Sequence, residues 1–168
     1  MPMKKQRIEA NTLIGIIMTN RKGMGFVKDP KNEEKDIMID VGFLNTALNG
    51  DTVEIKIGKK NSYGQLTAEV IKVIERARNS FVCTIDSREG VLTAYPDDKK
   101  AYASIVLNQA DIKKVTTGDK VFVKMHEWKD ARQNPTGTIL KIIGKKGNNN
   151  AEMESIVLER GFEIGFPS

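Results

Sequence analysis

Apolar and polar residues alternate along much of this 168-residue chain, which is the pattern of β-strands rather than of surface helices. Near the start of the sequence, Ile14, Ile16 and Met18 fall on one side of an extended chain, and Leu13 and Ile17 on the other. Apolar residues on both sides predict a strand that is covered on both faces. Four more short strands are predicted after it, at residues 24–28, 36–40, 51–58 and 66–75.

Turn-forming residues separate these strands, and one short helical turn is predicted at residues 43–48, between the third and fourth strands. Five short strands with one such turn are typical of a small Greek-key barrel of the OB type. Closing the sheet into a barrel also removes open strand edges that could pair with other chains. The first part of the chain is therefore predicted to be an all-β, five-stranded OB barrel.

The same pattern occurs a second time further along the chain. Residues 50–57 are echoed by residues 118–125, and residues 67–74 by residues 136–143. Both echoes are displaced by 68 or 69 residues and keep the same order, which predicts a duplicated domain of about 70 residues. Strands of the second copy are predicted at residues 80–86, 89–95, 103–107, 119–127 and 136–143. The predicted domains are residues 1–77, residues 78–146, and a linker with a short helix at residues 147–168, with a short connection near residues 75–79.

The last part of the chain has a helical rather than an alternating pattern. A stripe at helical spacing is formed by Met153, Ile156, Val157 and Arg160. It predicts a helix over residues 151–160, with Asn150 as its N-cap and Gly161 at its end. A helix this short with one narrow apolar stripe is marginal by itself. We expect it either to pack back on a barrel or to contact something further along the chain.

The charges of the sequence favour an anionic partner. Lys and Arg number 27 against 22 Asp and Glu, which gives a net charge of +5. Residues 1–84 hold 14 basic against 10 acidic residues, whereas residues 85–168 hold 13 against 12. The front half is therefore the better candidate for contacting phosphates. A basic balance alone does not name the partner, because many cytoplasmic proteins have one.

Several classes of chemistry are excluded by composition. The chain has one cysteine, Cys83, and one histidine, His126, which rules out an internal disulfide and most zinc sites and histidine-based triads. Cys83 lies in an apolar segment and is expected to be a core residue. No run of residues approaches the roughly 18 consecutive apolar positions of a membrane span, and the sequence does not begin with a signal peptide. We expect a cytoplasmic protein with no membrane partner.

The most informative segment is Lys-Gly-Met-Gly-Phe-Val at residues 22–27, followed by Asp-Ile-Met-Ile-Asp at residues 36–40. These segments resemble the two adjacent strand motifs of the bacterial cold-shock domain. In that pattern aromatic side chains stack on bases, glycines let the bases approach the sheet, and lysines hold the backbone. Lys22 and Phe26 fit the pattern.

Three residues depart from the cold-shock pattern. Met24 and Met38 stand where the family has aromatic residues, and Asp40 stands where it has histidine. Each lost stacking site costs ~1–3 kcal/mol of binding free energy. The resemblance therefore implies RNA binding that is weaker than in a stand-alone cold-shock protein. The alternative is that Phe26 and both methionines are ordinary barrel residues.

The order of the segments resembles the front of the ribonuclease R and ribonuclease II family of 3′ to 5′ exoribonucleases. Two tandem barrels are followed by Asn149-Asn150-Ala151-Glu152-Met153 and then by Phe166-Pro167, as where that family enters its catalytic domain. The resemblance implies hydrolysis of RNA in a later domain, where clustered aspartates hold Mg²⁺. It implies no catalytic residue, metal site or cofactor in this chain. The expected partners are single-stranded RNA and the missing catalytic domain.

Candidate RNA-binding residues are basic pairs and aromatic side chains in the first barrel and its connection to the second. They are Arg21, Lys22, Phe26, Lys28, Lys59, Lys60, Tyr63, Arg76 and Arg78. Basic pairs suit phosphates, and Tyr63 lies in a lysine-rich loop of the kind that borders the ligand groove of OB folds. Each pair could equally be solvated surface. His126 and Trp128 could form a second base platform, or they could serve packing.

Two alternatives to the nuclease reading remain open. One is a complete RNA-binding protein or RNA chaperone, which predicts a stop codon after Ser168 and a C-terminal helix packed on a barrel. The nuclease reading predicts an open frame into an aspartate-rich region. The other alternative is an OB scaffold for protein contacts, whose affinity for RNA would not fall steeply with salt.

Overall fold

The computed structural model describes residues 11–163, with side chains through Arg160. The chain divides into two compact units, Met1–Ala77 and Arg78–Ser168. The segment Phe166-Pro167, on which part of the family resemblance rests, lies outside the described residues.

The first unit is a closed five-stranded barrel. Its strands are β1 (Thr12–Thr19), β2 (Gly25–Asp29), β3 (Asn32–Ile39), β4 (Thr52–Lys60) and β5 (Leu66–Glu75). Around the barrel the order is β1-β2-β3-β5-β4, and every pairing is antiparallel except that of β3 with β5. The barrel interior is filled by residues that are 1% exposed or less, among them Ile17, Val27, Ile37, Val53 and Ile55.

Two expectations for the first barrel were wrong. Strand β1 is covered on one face only, because Ile14, Ile16 and Met18 point outward and are 60%, 58% and 49% exposed. The helical turn expected at residues 43–48 is instead a 3₁₀ turn over Val41–Phe43. Asn45 has a φ of 58°, a left-handed conformation that interrupts a helix at this point.

The second unit repeats this strand order. Its strands are β6 (Ser80–Arg88), β7 (Val91–Pro96), β8 (Val106–Leu107), β9 (Asp119–Met125) and β10 (Thr136–Lys145). The sheet order is β7-β6-β9-β10-β8, with β8 parallel to β10 as β3 is to β5. Two hydrogen bonds between Ala94 and Ile105 join β7 to the residue before β8 and so complete the ring. The predicted all-β fold of two five-stranded OB barrels with a short C-terminal helix is confirmed.

Both barrels are built around equivalent inner rows of side chains. In the first, Ile17 pairs with Val27 and Val27 with Ile37. In the second, Ile85 pairs with Ala94 and Ala94 with Ile105. All six side chains are at most 1% exposed. Each residue of the second row follows its counterpart by 67 or 68 positions, close to the repeat that the sequence predicts.

A short helix and a long one complete the second unit. Helix α1 (Gln109–Ile112) was not predicted; it begins at Asn108, whose side-chain oxygen accepts a hydrogen bond from the backbone N–H of Asp111 at 2.8 Å. Helix α2 (Asn149–Glu163) is five residues longer than predicted. Asn148 rather than Asn150 caps it, accepting from the backbone N–H of Ala151 at 3.1 Å, and the helix continues through Gly161.

Candidate nucleic-acid interface

A row of large side chains crosses the outer surface of the first barrel on three adjacent strands. Met18 on β1 lies beside Phe26 on β2, and Phe26 lies beside Met38 on β3. We call these three residues the outer row. They alternate with the buried inner row, so their side chains point away from the core, and Phe26 and Met38 are half-buried between their neighbours. Phe26 is thus presented as a ring on an apolar surface, the arrangement on which a base can stack.

The glycines of residues 22–27 do not flatten this surface, and that part of the sequence interpretation was wrong. A Cβ on Gly25 would point into the barrel, 2.7 Å from Ile17 Cδ1 and 2.9 Å from Leu44 Cδ2. Gly23 has a φ of +86° and forms the turn before β2. One glycine is therefore required by core packing and the other by the turn.

The loop between β4 and β5 brings a second aromatic residue to the depression that Phe26 lines. Tyr63 is 82% exposed, and its backbone carbonyl accepts a hydrogen bond from Lys35 Nζ at 2.9 Å. Gln65 Nε2 donates to the carbonyl oxygen of Asp36 at 2.8 Å, which ties the other end of the loop to β3. Phe26 and Tyr63 line one depression of about 320 Å³, together with Glu34, Lys35, Asp36 and Gln65. The structure therefore brings two of the predicted aromatic contacts together.

Five predicted cations are exposed on the first barrel. Arg21 and Lys22 lie in the β1–β2 turn, Lys28 follows Phe26 on β2, and Lys59 and Lys60 end β4. The turn is held by Asn20, whose side-chain oxygen accepts from the backbone N–H groups of Lys22 and Met24, each at 3.0 Å. The end of β4 is held by Thr67 Oγ1, which donates to the carbonyl oxygen of Lys59 at 2.7 Å. These side chains can reach phosphates while their backbones stay fixed.

The two arginines at the domain boundary have internal partners. Arg76 lies 2.7 Å from the buried carboxylate of Asp51. Arg78 Nη2 lies 2.6 Å from Glu159, and its guanidinium is 4.5 Å from the centre of the Phe81 ring. These contacts favour a structural role for both arginines and weaken the prediction that they contact RNA. For the other seven residues, RNA contact stays a prediction.

The second barrel has no equivalent of the outer row. The matching inner rows show which residues of the second barrel correspond to the outer row. They are Asp86, Thr93 and Val106, in the order of Met18, Phe26 and Met38. A carboxylate, a hydroxyl and a half-exposed valine offer no ring on which a base can stack, and the carboxylate repels phosphate.

A basic groove lies elsewhere on the second barrel, and sequence reasoning missed it. It encloses about 670 Å³ and is lined by Arg88, Tyr95, Lys99, Lys120 and Lys146, with Asp86 and Asp97 among the remaining residues. The Arg88 guanidinium lies 4.7 Å from the centre of the Tyr95 ring. Lys120 forms ion pairs with Asp97 and Glu152. The cations come from four separate segments of the chain, so no local sequence pattern predicts the groove.

Of the other candidates in the second barrel, Trp128 and Cys83 are buried and His126 is exposed. Trp128 is 7% exposed, and its indole N–H donates to the carbonyl oxygens of Asp130 and Gln133. It therefore offers no open base platform. His126 is exposed, with Nδ1 and Nε2 at 3.0 and 2.7 Å from the hydroxyls of Thr136 and Thr138. Cys83 is fully buried as predicted, and burial raises the pKa of its thiol well above the ordinary value.

No group of three or more His, Cys, Asp or Glu residues within residues 11–163 is arranged to hold a metal ion. In the same part of the chain, no helix has the length and apolar character needed to cross a membrane.

Comparison with known proteins finds a matching family for each barrel. The Ribonuclease B OB domain family matches residues 15–73, and the Cold shock domain family matches residues 95–167. Ribonuclease R of Ureaplasma parvum is 30% identical over 154 residues, which are 90% of this chain and 21% of that protein. The chain is thus similar, over both barrels, to a segment of ribonuclease R. It spans about a fifth of the length of that ribonuclease R and of the one from Aquifex aeolicus.

Solved structures share the fold of this chain. The apo form of Mycoplasma genitalium RNase R matches with a TM-score of 0.74 at 21% identity, over 89% of this chain and 24% of that one. Yeast Ssd1, described as a pseudonuclease, matches with a TM-score of 0.73 at 16% identity, over 94% of this chain and 26% of that one.

Proposed function

We propose that this chain is the single-stranded RNA-binding segment of a ribonuclease R-like 3′ to 5′ exoribonuclease, and that it feeds RNA to a catalytic domain outside these 168 residues. The observation that carries the proposal is the outer row of the first barrel, where Phe26 lines one depression with the exposed Tyr63. Lys35 lines the same depression between Glu34 and Asp36, and Arg21 with several lysines is exposed on the same barrel. Stacking on rings combined with phosphate contacts is how proteins hold single strands without reading their sequence.

A structural neighbour supports the choice of ligand. Mycoplasma genitalium RNase R has been solved in complex with ribose-methylated single-stranded RNA, and the matched region of that complex has a TM-score of 0.74. RNA binding by this chain remains a proposal, because 21% sequence identity establishes the shared fold alone. The cytoplasm, where its RNA substrates are found, is the location that the proposal implies.

We assign hydrolysis to the domain outside this chain, together with the Mg²⁺ that it requires. There the ion would be held by clustered aspartates and would activate a water at the scissile phosphate. The residues of this chain would bind, orient and admit the single strand. Their contribution to the rate is to raise the local concentration of substrate at the catalytic entrance.

One observation favours an RNA-binding protein without nuclease activity. Ssd1 has this fold and is described as a pseudonuclease, so the architecture itself does not require hydrolysis. Helix α2 also lies against the second barrel, as a stand-alone protein predicts. Its apolar stripe nevertheless points to solvent, which a stand-alone protein does not explain.

The experiment is to titrate the 168-residue chain into fluorescein-labelled single-stranded and duplex RNA with Mg²⁺ present, following anisotropy and RNA length together. We expect binding to the single strand, an affinity that falls linearly with salt on a logarithmic scale, and intact RNA. Affinity without salt dependence would favour the protein-scaffold alternative. Degradation that survives repurification would contradict the assignment of hydrolysis to another domain.

A further inference from the structure

Helix α2 leaves three of its large apolar side chains exposed and directs several of its polar side chains to the second barrel. The exposed fractions of Met153, Ile156 and Val157 are 66%, 55% and 57%, and Arg160 is exposed beside them. We call these four residues the outer face of α2. An amphipathic helix that packs on its own domain buries its apolar stripe instead. The stripe that the sequence predicts is therefore present but largely exposed, and Ile156 at its edge also lines a groove between the helix and the barrel.

Ion pairs hold the helix in this orientation. They join Glu152 to Lys120, Glu154 to Lys141, and Glu159 to Arg78. Glu159 also accepts a hydrogen bond from the backbone N–H of Val82, at 2.8 Å. Since Lys120 is only 8% exposed and Val82 belongs to β6, these contacts are anchored in the barrel itself. They fix the rotation of α2 about its own axis.

Small residues bring the same side of the helix close to the sheet. Ala151 and Ser155 are 2% and 6% exposed. A Cβ on Gly144, in β10, would lie only 3.0 Å from the Cβ of Ala151, and Gly144 has a φ of +151° that favours glycine. Turning the helix to bury Ile156 and Val157 would need more space than this contact leaves. The outward position of the stripe is thus built into the packing.

We propose that the outer face of α2 is a docking surface for an adjoining domain of the same polypeptide. This inference rests on the proposed function, in which the chain is one segment of a longer ribonuclease R-like protein. The chain spans 21% of the length of its Ureaplasma parvum relative, so that protein has ample sequence to supply such a domain. The docked surface should be apolar, with a carboxylate opposite Arg160.

The size of the outer face favours a tethered occupant over a second copy of this chain. A stable dimer buries roughly 1,200 Å² or more in total, and the face of one helix centred on three side chains supplies far less. A covalent connection raises the effective concentration of the partner to the millimolar range, so a small surface is sufficient. Contacts between domains of one chain span roughly 600–1,500 Å² and can be extended by residues around the helix.

The test compares the 168-residue chain with the full product of its reading frame, using amide hydrogen exchange at residues 153–160. We expect exchange there to be about tenfold slower in the longer protein, because docking suppresses local opening. The variant Ile156→Glu/Val157→Glu should abolish that difference. The control variant Asn149→Glu/Asn150→Glu adds the same charges to exposed positions off the stripe and should preserve it.

The outcomes separate the two proposals. A frame that ends at codon 168 would overturn the proposed nuclease segment and the docking inference together. A longer protein with unchanged exchange at α2 would overturn the docking inference alone. A dimer of the 168-residue chain that Ile156→Glu/Val157→Glu dissociates would identify a second copy as the occupant. Loss of RNA binding in that variant would make the outer face an RNA surface instead.

Discussion

The two barrels share an interior and differ at the surface. Inner rows built on Ile17 and Ile85 match in register, and the strand orders agree, including the one parallel pairing. On the outside, Phe26 in the first barrel corresponds to Thr93 in the second. The second barrel instead has a groove in which Arg88 stacks on Tyr95. The comparison teaches that the fold is set by inward positions, which leaves outward ones free to take up separate tasks.

The turn before the fourth strand of each barrel is held by one aspartate. Asp51 accepts from the backbone N–H groups of Leu48 and Ala77 at 2.8 and 2.9 Å and pairs with Arg76. Asp119, 68 positions later, accepts from the backbone N–H of Thr116 at 2.9 Å and pairs with Lys145 at 2.6 Å. One aspartate thus ties the turn to the end of the last strand in both barrels. Asp51 is the more buried of the two, at 1% against 8% exposure.

The largest difference between the barrels should come from removing these aspartates. Asp51→Ala leaves Arg76 without its carboxylate and two backbone N–H groups without an acceptor, so we expect it to lower the free energy of unfolding of the first barrel by about 3–5 kcal/mol. Asp119→Ala should cost the second barrel about 1–2 kcal/mol, because Lys145 is largely exposed.

The single tryptophan makes this measurement selective. Trp128 lies in the second barrel, so its fluorescence during urea unfolding follows that barrel, while amide exchange of residues 12–75 follows the first. If both variants lose the same free energy of unfolding, the two turns are energetically equivalent. That result would contradict the expectation drawn from the deeper burial of Asp51.

The outer row provides the next largest effect. Phe26→Ala should weaken binding of single-stranded RNA by about 5- to 150-fold, because one stacked base contributes ~1–3 kcal/mol. Thr93→Ala changes the equivalent position of the second barrel and should leave the affinity within twofold, roughly 0.4 kcal/mol. Anisotropy titrations at one salt concentration measure both. Two unchanged affinities would move the RNA surface away from the outer row.

Charge reversal should have a smaller effect that depends on salt. Lys59→Glu/Lys60→Glu is expected to lower RNA affinity and to reduce the slope of log affinity against log salt by about 0.7 for each lost phosphate contact. Lys113→Glu/Lys114→Glu is the matched control, because these neighbouring lysines are exposed in the second unit away from the groove. If the control variant reduces the slope as much, the effect comes from net charge rather than from a site.

The smallest predicted effect is a dependence of the second barrel on pH. Partial burial tends to raise the pKa of Asp119, but hydrogen bonds from Lys145 and the Thr116 backbone outweigh it and lower the pKa below 3.8. A lowered pKa in the folded state stabilises the barrel above pH 3.8, and this contribution is lost as pH falls through the folded value.

Urea midpoints followed by Trp128 fluorescence should therefore fall on acidification from about pH 5 to pH 2. The decline should be shallower in Asp119→Asn, which keeps the size of the side chain and has no carboxylate to titrate. Parallel declines in the two proteins would assign the pH dependence to other groups.

The sequence was sufficient for the fold because alternation and turn residues are local signals. Strand β5 matches its predicted limits, and the echo around Gly50-Asp51 and Gly118-Asp119 marks real counterparts. Helix α2 was expected from its stripe, but which side would face the barrel depends on distant cations and could not be predicted.

The candidate site was only partly predictable for the same reason. Phe26 and Tyr63 line the same depression because OB loops border the ligand face, which is a property of the fold. The internal partners of Arg76 and Arg78 could not be predicted, since Asp51 and Glu159 lie 25 and 81 positions away in the sequence. The basic groove combines side chains from several strands and has no local signature.

The closure of the second barrel has a consequence for how it opens. In the first barrel, β2 and β3 pair at four positions, whereas β7 meets the residue before β8 only through Ala94 and Ile105. These two hydrogen bonds close the ring on this side of the barrel. Residues 97–105, which form no β-strand, connect β7 to β8. We expect local opening of the second barrel to begin between β7 and β8. A protease that cleaves the locally opened state should therefore cut first within residues 97–105.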